Sequence, residues 1–278
     1  MILVTGATGN IGRPLLRYLR ASGTDRPLRA LTRDRARASF PDGVEAVEGD
    51  LADPASLDRA LTGARSLFLL AGTGPEEAVL AAARRAGVEH VVLVSSITVR
   101  THPHLPTAAR VLATEDLLRA SGMAWTMLRP TQFASNTLLW SDAIRAHRPV
   151  RLPYPDLGLP TIHPADIAAV AASALTGPDH HGRTYPLTGP GPVTAREQVA
   201  ALGAALGREV PLTVVSRKEA HEELAAAVGD AVAHAMLDLT GGDITDELRA
   251  VHDTVERVTG TPARPFAQWA TENAAAFR

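Results

Sequence analysis

The first twelve residues constrain the fold more than any other stretch. Met1-Ile-Leu-Val-Thr5 is an apolar, β-prone run. Gly6-Ala-Thr-Gly-Asn-Ile-Gly12 follows at once, and Arg13 to Ala21 has the pattern of a helix. Strand, glycine turn and helix in that order make a seat for the diphosphate of a dinucleotide. The chain has to turn sharply at Gly6, let its backbone approach a phosphate at Gly9, and pack helix on strand at Gly12. The helix start then offers free N–H groups and partial positive charge to the anion. The spacing is Gly-x-x-Gly-x-x-Gly, not the commoner Gly-x-Gly-x-x-Gly, so the flanking strand and helix carry the reading.

Strand and helix patterns then alternate. Strands are expected at Leu28 to Thr32, Val44 to Glu48, Ser66 to Ala71, His90 to Ser95 and Ala124 to Arg129. Helices are expected at Pro54 to Leu61 (with Asp53 as N-cap), Pro75 to Ala86 and Thr107 to Ala120. This rhythm predicts an α/β fold, a doubly wound parallel sheet with helices on both faces. After Pro130 the rhythm changes. Phe133 to Ala146 reads as one helix, and the proline-rich residues 149 to 160 as loop with short edge strands. Pro164 to Leu175 is a helix, Thr184 to Thr188 a strand, and Thr194-Ala-Arg-Glu197 a capping box opening a helix to Leu206. Val210 to Val214 reads as a strand, and three or four helices are expected from Ser216 onward. The expected division is a nucleotide-binding core at 1–150 and a smaller α+β substrate lobe at 151–278, with some segments after 160 returning to the core.

Composition removes several function classes. The net charge of −2 gives no reason to expect nucleic acid or an anionic membrane as partner. The absence of cysteine excludes disulfides, thiolate catalysis and cysteine-ligated metals, and no metal-ligand spacing occurs elsewhere. The first strand begins at residue 1, so no leader is expected, and no apolar run reaches the ~18 residues of a membrane span. The expectation is a cytoplasmic protein with a small-molecule substrate; the C-terminal helices could pack on the lobe or form a homodimer interface.

Doubly wound sheets bind ligands beyond the carboxyl ends of their strands. That rule selects Gly6, Thr8, Gly9, Asn10, Ile11 and Gly12, then Arg33, Asp50 and Leu51, Ala71, Gly72 and Thr73, Ser95 and Ser96, and Pro130 to Phe133. Arg33 stands where an adenosine ribose belongs. An acidic residue there suits the 2′-hydroxyl of NAD, whereas an arginine can fork onto a 2′-phosphate. Arg33, helped by Arg13, therefore favours NADP(H); the alternative leaves Arg33 solvated, gives the ribose to Asp34, and admits NAD(H).

With these residues in place, the chain resembles the NmrA-like group of atypical short-chain dehydrogenases/reductases, and most closely its quinone oxidoreductase branch. The matching segments are Thr5–Gly12, Leu31-Thr-Arg33, Gly49-Asp-Leu51, Val94-Ser-Ser96, Thr126-Met-Leu-Arg-Pro130, Ile162-His-Pro-Ala-Asp-Ile-Ala168 and Tyr185-Pro-Leu-Thr-Gly189, in family order. The resemblance implies an NAD(P)-binding Rossmann core and a small C-terminal substrate lobe. It also implies that Asp50 accepts from the adenine amino group with Leu51 nearby, and that Thr131 to Phe133 flank the nicotinamide. Typical short-chain dehydrogenases pair a tyrosine acid with a lysine four residues on. None of Tyr18, Tyr154 and Tyr185 has such a lysine, and Lys218 is the single lysine of the chain.

Hydride transfer to a quinone or other conjugated carbonyl does not need that acid. Ser96, His102 and Gln132 are the candidate catalytic residues: a strand-end hydroxyl, an imidazole able to move a proton near neutral pH, and an amide that can orient a carboxamide or substrate. Phe133, Tyr154 and His163 are candidate pocket residues, as are Asn136 and Trp140, which fall on one face at i and i+4 of the expected helix. The leading expectation is an NADPH-dependent oxidoreductase of conjugated carbonyls. The alternatives are a noncatalytic NAD(P)-binding redox sensor and a non-redox isomerase, lyase or cyclase on the same scaffold.

Overall fold

A computed structural model describes all 278 residues. In chain order it runs β1 (Ile2–Val4), α1 (Gly12–Ala21), β2 (Leu28–Thr32), β3 (Val44–Glu48), α2 (Pro54–Leu61), β4 (Ser66–Leu70), α3 (Glu76–Arg85), β5 (His90–Val94), α4 (Thr98–Thr101), α5 (Pro106–Ala120) and β6 (Ala124–Pro130). A 3₁₀ helix at Ala134–Trp140 follows, then α6 (Ser141–Arg145), β7 (Val150–Leu152), β8 (Gly158–Leu159), α7 (Pro164–Thr176), β9 (Arg183–Leu187), β10 (Val193–Thr194), α8 (Ala195–Leu206) and β11 (Leu212–Val214). The remainder is α9 (Arg217–Val228), α10 (Asp230–Leu237), α11 (Asp246–Arg249), α12 (Thr254–Thr259) and α13 (Phe266–Glu272). Five helices stand where the sequence pattern predicts three or four. Gly229 and the Gly241-Gly242 pair interrupt the apolar periodicity there, and each break starts a new element.

Two compact units divide the chain. The first holds Met1–Pro130, Pro164–Leu187 and Thr254–Thr261; the second holds Thr131–His163, Thr188–Asp253 and Pro262–Arg278. Residues 131–150, which the sequence pattern groups with the core, thus belong to the second unit, because the chain leaves the sheet at the end of β6.

The first unit is a seven-stranded sheet of order β3-β2-β1-β4-β5-β6-β9 in which every pairing is parallel. A parallel sheet is covered on both faces, so its inner strands read as unbroken apolar runs. Ile2, Leu3 and Val4 of β1 and all five residues of β5 are buried accordingly. Asp53 caps α2 by accepting from the Ala55 amide at 3.1 Å. Helix α7 buries nine of its thirteen residues, which its nearly all-apolar composition foretells, and it packs against α1. The second unit carries two small sheets, β7 with β11 and β8 with β10. Its core joins Val199 and Leu202 of α8 to Phe266 and Trp269 of α13 and to Phe277. Thr194 closes the expected capping box with Glu197. No helix is long and apolar enough to cross a membrane.

At the amino ends of β5, β6 and β9 lies a histidine cluster. Thr126 Oγ1 donates to the His180 carbonyl at 2.7 Å, so the His90 Nε2–H donates to Thr126 at 3.0 Å. The His181 ring stands 4.3 Å from that of His90. Burial first, then the neighbouring His181, His180 and Arg26, push the His90 imidazole down to about 4. A depressed value means the folded state resists the proton. The stability tied to a neutral His90 is therefore complete above the unfolded value near 6.5 and is lost as pH falls toward 4. Between pH 7 and pH 5 the expected loss is about 2 kcal/mol from this group. His90→Asn should flatten the fall in thermal midpoint over that range; an unchanged slope would remove His90 from the account.

Candidate active site

The loop after β1 is built to take an anion. Gly6 adopts the left-handed conformation, at φ 58°, and its carbonyl accepts from the Gly9 amide at 2.9 Å. A Cβ at Gly12 would lie 2.2 Å from the Gly6 oxygen and 2.7 Å from the Ala7 Cα, and one at Gly9 would lie 3.2 Å from the same oxygen. Helix α1 begins with no side-chain cap and no acidic residue in its first turn. The amides of Asn10 and Ile11 donate to no protein acceptor. Thr8, Gly9 and Asn10 are exposed, while Ile11 and Gly12 are buried. The combination leaves donors and a partial positive charge aimed at open space.

Arg33 is exposed just past β2, and no protein carboxylate pairs with it. Asp34, the alternative ribose acceptor, instead takes the Arg37 amide on Oδ1 at 3.1 Å and so helps shape the turn. Asp50 is exposed past β3; its Oδ1 accepts from the Ala52 amide at 2.9 Å, and its second oxygen makes no protein hydrogen bond. Leu51 packs on the core, and a Cβ at Gly74 would lie 3.1 Å from it. Past β4, Ala71 extends the ladder to the Val94 carbonyl, Gly72 turns at φ 79°, and Thr73 bonds back to the Leu70 carbonyl at 2.8 Å. These loops gather at one edge of the sheet, the carboxyl edge, together with Pro130, whose carbonyl accepts from the Ile97 amide.

The end of β5 differs from expectation. The strand-end rule makes Ser95 a ligand-facing hydroxyl, but it is buried and donates to Glu115 Oε1 at 2.6 Å. A buried hydroxyl needs a partner, and the carboxylate supplies it. Ser96 is half-buried; its Oγ accepts from the Thr98 amide at 3.2 Å and the Thr98 hydroxyl at 2.8 Å, which starts the short helix α4. His102, a candidate proton carrier by sequence, is enclosed by the protein. It ends α4 with no exposed surface, its Nδ1 lies 2.8 Å from Thr101 Oγ1, and its ring faces His104. Helix α4 breaks the run after β5 that sequence patterning reads as open loop, and it folds the imidazole inward.

In the second unit, Gln132 donates from Nε2 to the Leu239 carbonyl at 2.8 Å, and half-buried Phe133 bridges to Ile162. Asn136 and Trp140 do not share a face. Their segment is 3₁₀, with three residues per turn, so positions four apart diverge. Asn136 is exposed, and Trp140 packs on the α8–α13 core. His163 is buried with Nε2 3.2 Å from a Glu272 carboxylate oxygen, which turns it toward α13. Half-buried Tyr154 meets Arg217, a residue that no sequence motif singles out. Lys218 is exposed on α9, 3.9 Å from Glu222.

A profile of the NAD(P)H-binding family matches residues 6–178. The chain belongs to that family. A (4-alkanoyl-5-oxo-2,5-dihydrofuran-3-yl)methyl phosphate reductase of Streptomyces griseus is 42% identical to it, over 100% of this chain and 99% of the relative. An NAD(P)H azoreductase of Xenophilus azovorans is 36% identical over the same shares. Among solved structures, the NADPH complex of a quinone oxidoreductase from Escherichia coli superposes with a TM-score of 0.81 at 26% identity, covering 98% of this chain and 99% of that one. The protein is thus an NmrA-type oxidoreductase with an NAD(P)H-binding Rossmann core. Its own geometry fits the cofactor: exposed Gly9 carries no side chain to obstruct a diphosphate, Gly12 lets α1 pack closely on the Gly6–Ala7 backbone, and the free amides at the start of α1 would bind the anion.

Proposed function

We propose that this reductase uses NADPH to reduce a conjugated, electron-poor acceptor, either a quinone or an α,β-unsaturated carbonyl, without a tyrosine–lysine acid pair. The exposed, unpaired guanidinium of Arg33 at the end of β2 is the observation that carries the cofactor choice. It can form two charge-assisted bonds to a 2′-phosphate, while Asp34 is occupied in its turn. The amides of Asn10 and Ile11 would hold the diphosphate, and Asp50 would use its second oxygen on the adenine amino group.

The acceptor class draws on the relatives. The names of the Streptomyces and Xenophilus proteins describe a ring double bond conjugated with two carbonyls and an azo group, and the Escherichia protein acts on quinones. Each of these three acceptors has an electron-poor π bond that can accept a hydride. NADPH supplies that hydride when bound. Water can supply the proton, since His102 is enclosed and His163 faces Glu272.

Two measurements test the reading. The protein is mixed with NADPH and a panel of naphthoquinones and acylated furanones, and loss of cofactor absorbance is followed; turnover is expected. Arg33→Ala should weaken NADPH binding about 10- to 100-fold, the worth of the lost charge-assisted bonds, and leave NADH binding nearly unchanged. Equal loss for the two cofactors would return the ribose site to Asp34.

A further inference from the structure

Within the first unit, the carboxyl edge of the sheet carries a guanidinium that no carboxylate pairs with, besides that of Arg33. Arg110 extends from the second turn of α5 to the loop after β4, where its Nη2 donates to the Gly72 carbonyl at 3.3 Å. Gly72 turns at φ 79°, and a Cβ there would lie 3.3 Å from the same Nη2. The guanidinium thus rests against a residue without a side chain. Its helix is held in place, because Glu115 of α5 bonds to Arg129 on β6 and to Ser95 just past β5. Arg110 is exposed, and the Gly72 carbonyl is the one acceptor of its side chain. Glu76, the carboxylate of that loop, accepts from the Gly74 amide at 3.3 Å instead. A guanidinium has five N–H donors, so one neutral carbonyl leaves most of them and the whole charge unanswered.

The edge also has an order. Strands β2, β1 and β4 are neighbours in the sheet, and each ends in a loop of the cofactor site. Arg33 follows β2, the glycine cradle follows β1, and Gly72 with Arg110 follows β4. The last two loops adjoin. The Thr5 amide donates to the Phe68 carbonyl at 3.2 Å, and a Cβ at Gly6 would lie 3.4 Å from Leu70 Cδ1, two positions before Gly72. NADPH has a matching covalent order: 2′-phosphate, adenosine ribose, diphosphate, nicotinamide ribose. A cofactor that begins at Arg33 and crosses the cradle comes next to the β4 loop.

We infer that Arg110 binds the nicotinamide-side phosphate of the cofactor, while the amides at the start of α1 hold the adenosine-side phosphate. The inference rests on the proposed seat of the adenosine ribose past β2, and not on the identity of the acceptor. Amides at a helix start supply a partial charge, whereas a diphosphate brings two full ones; the guanidinium adds a full cation and charge-assisted bonds. The Gly72 carbonyl aims the side chain beforehand, so less freedom is lost on binding.

Calorimetric titrations test this with Arg110→Met and Arg110→Lys beside wild type, and with Arg33→Ala as the control. The ligands are NADPH, NADH and adenosine 2′,5′-bisphosphate, which has the 2′-phosphate and the adenosine-side phosphate but lacks the nicotinamide-side one. Arg110→Met should weaken NADPH and NADH alike, by about 10-fold for a charge-assisted contact. Its affinity for the bisphosphate and its thermal midpoint should stay near wild type, and added salt should weaken its NADPH binding less than that of wild type. Arg110→Lys should recover part of the loss. Arg33→Ala should show the converse pattern, weakening NADPH and the bisphosphate but not NADH. An Arg110→Met protein that binds both dinucleotides as tightly as wild type would overturn the inference. An equal loss for the bisphosphate would also overturn it, since Arg110 would then only shape the loop beside the cradle. If Arg33→Ala fails to separate NADPH from NADH, the proposed cofactor preference falls, and the loss at Arg110 is still read from NADH.

Discussion

Gly12→Ala is expected to weaken NADPH binding about 100-fold. The added methyl would sit 2.2 Å from the Gly6 carbonyl oxygen, 2.7 Å from the Ala7 Cα and 2.8 Å from the Gly6 carbonyl carbon. All three atoms are backbone, so no rotamer change relieves the clash. Helix α1 has to back away from β1 or the Gly6–Gly9 turn has to open, and either movement displaces the amides that face the diphosphate. Overpacking a core costs about 1–3 kcal/mol where side chains can yield; against rigid backbone the upper end is the starting point. A loss of ~3 kcal/mol is about two orders of magnitude in Kd. Gly9→Ala gives the internal comparison. Its methyl would lie 3.2 Å from the Gly6 oxygen, a contact that a shift of a few tenths of an ångström resolves. Calorimetric titration with NADPH should therefore rank wild type, Gly9→Ala and Gly12→Ala in that order. A Gly12→Ala protein that binds within threefold of wild type would show that close helix–strand packing does not shape this cradle.

The same backbone geometry explains why the cradle is legible in the sequence. Gly6, Gly9 and Gly12 act locally, and the strand and helix that frame them are adjacent along the chain. Strands β2 and β3 and helix α2 are equally plain, since Leu28–Thr32, Val44–Glu48 and Pro54–Leu61 carry their own periodicity, caps and breakers. Helix α4 and the 3₁₀ segment Ala134–Trp140 are not, because both are short and depend on tertiary contacts. The pairing of Asn136 with Trp140 on one face fails for that reason: the period changes from 3.6 to 3.0. The Tyr154–Arg217 pair spans 63 positions, and no pattern along a single chain couples residues so far apart. One signal is present in the Gly241-Gly242 pair, where two neighbouring residues make room for Tyr154 and Arg217 in turn. Ser95 misleads because the strand-end rule says where a residue lies but not which partner claims its hydroxyl. The partner is Glu115, twenty positions on.

Glu115 supports the largest stability effect expected outside the cradle. Its side chain is fully buried on α5, and three residues donate to it. Arg129 on β6 forks onto both oxygens at 2.9 and 2.6 Å, Arg119 reaches Oε2 at 2.7 Å, and Ser95 completes the set. Burial alone would push this carboxyl up, but the bonds from Arg129, Ser95 and Arg119 outweigh it and hold the group below the usual carboxylate range. Glu115→Ala would leave the Arg129 guanidinium, itself 12% exposed, without its counter-charge. Breaking a buried pair in this one-sided way costs about 3–5 kcal/mol, or roughly 10 °C in thermal midpoint for a chain of this size. Removing both charges should cost less, because no ion is then stranded. The double variant Glu115→Leu/Arg129→Met is accordingly expected to recover part of the loss, and a double variant as unstable as the sum of its singles would contradict the pairing. The pH dependence has a defined sign. A depressed native value means the stabilisation is whole above the unfolded carboxylate range and fades only as pH falls through the native value. The midpoint difference between wild type and Glu115→Gln should therefore stay constant from neutral pH to mild acid and close only in strong acid. A difference that closes near pH 6 would assign the effect to another group, with the His90 cluster the first to test.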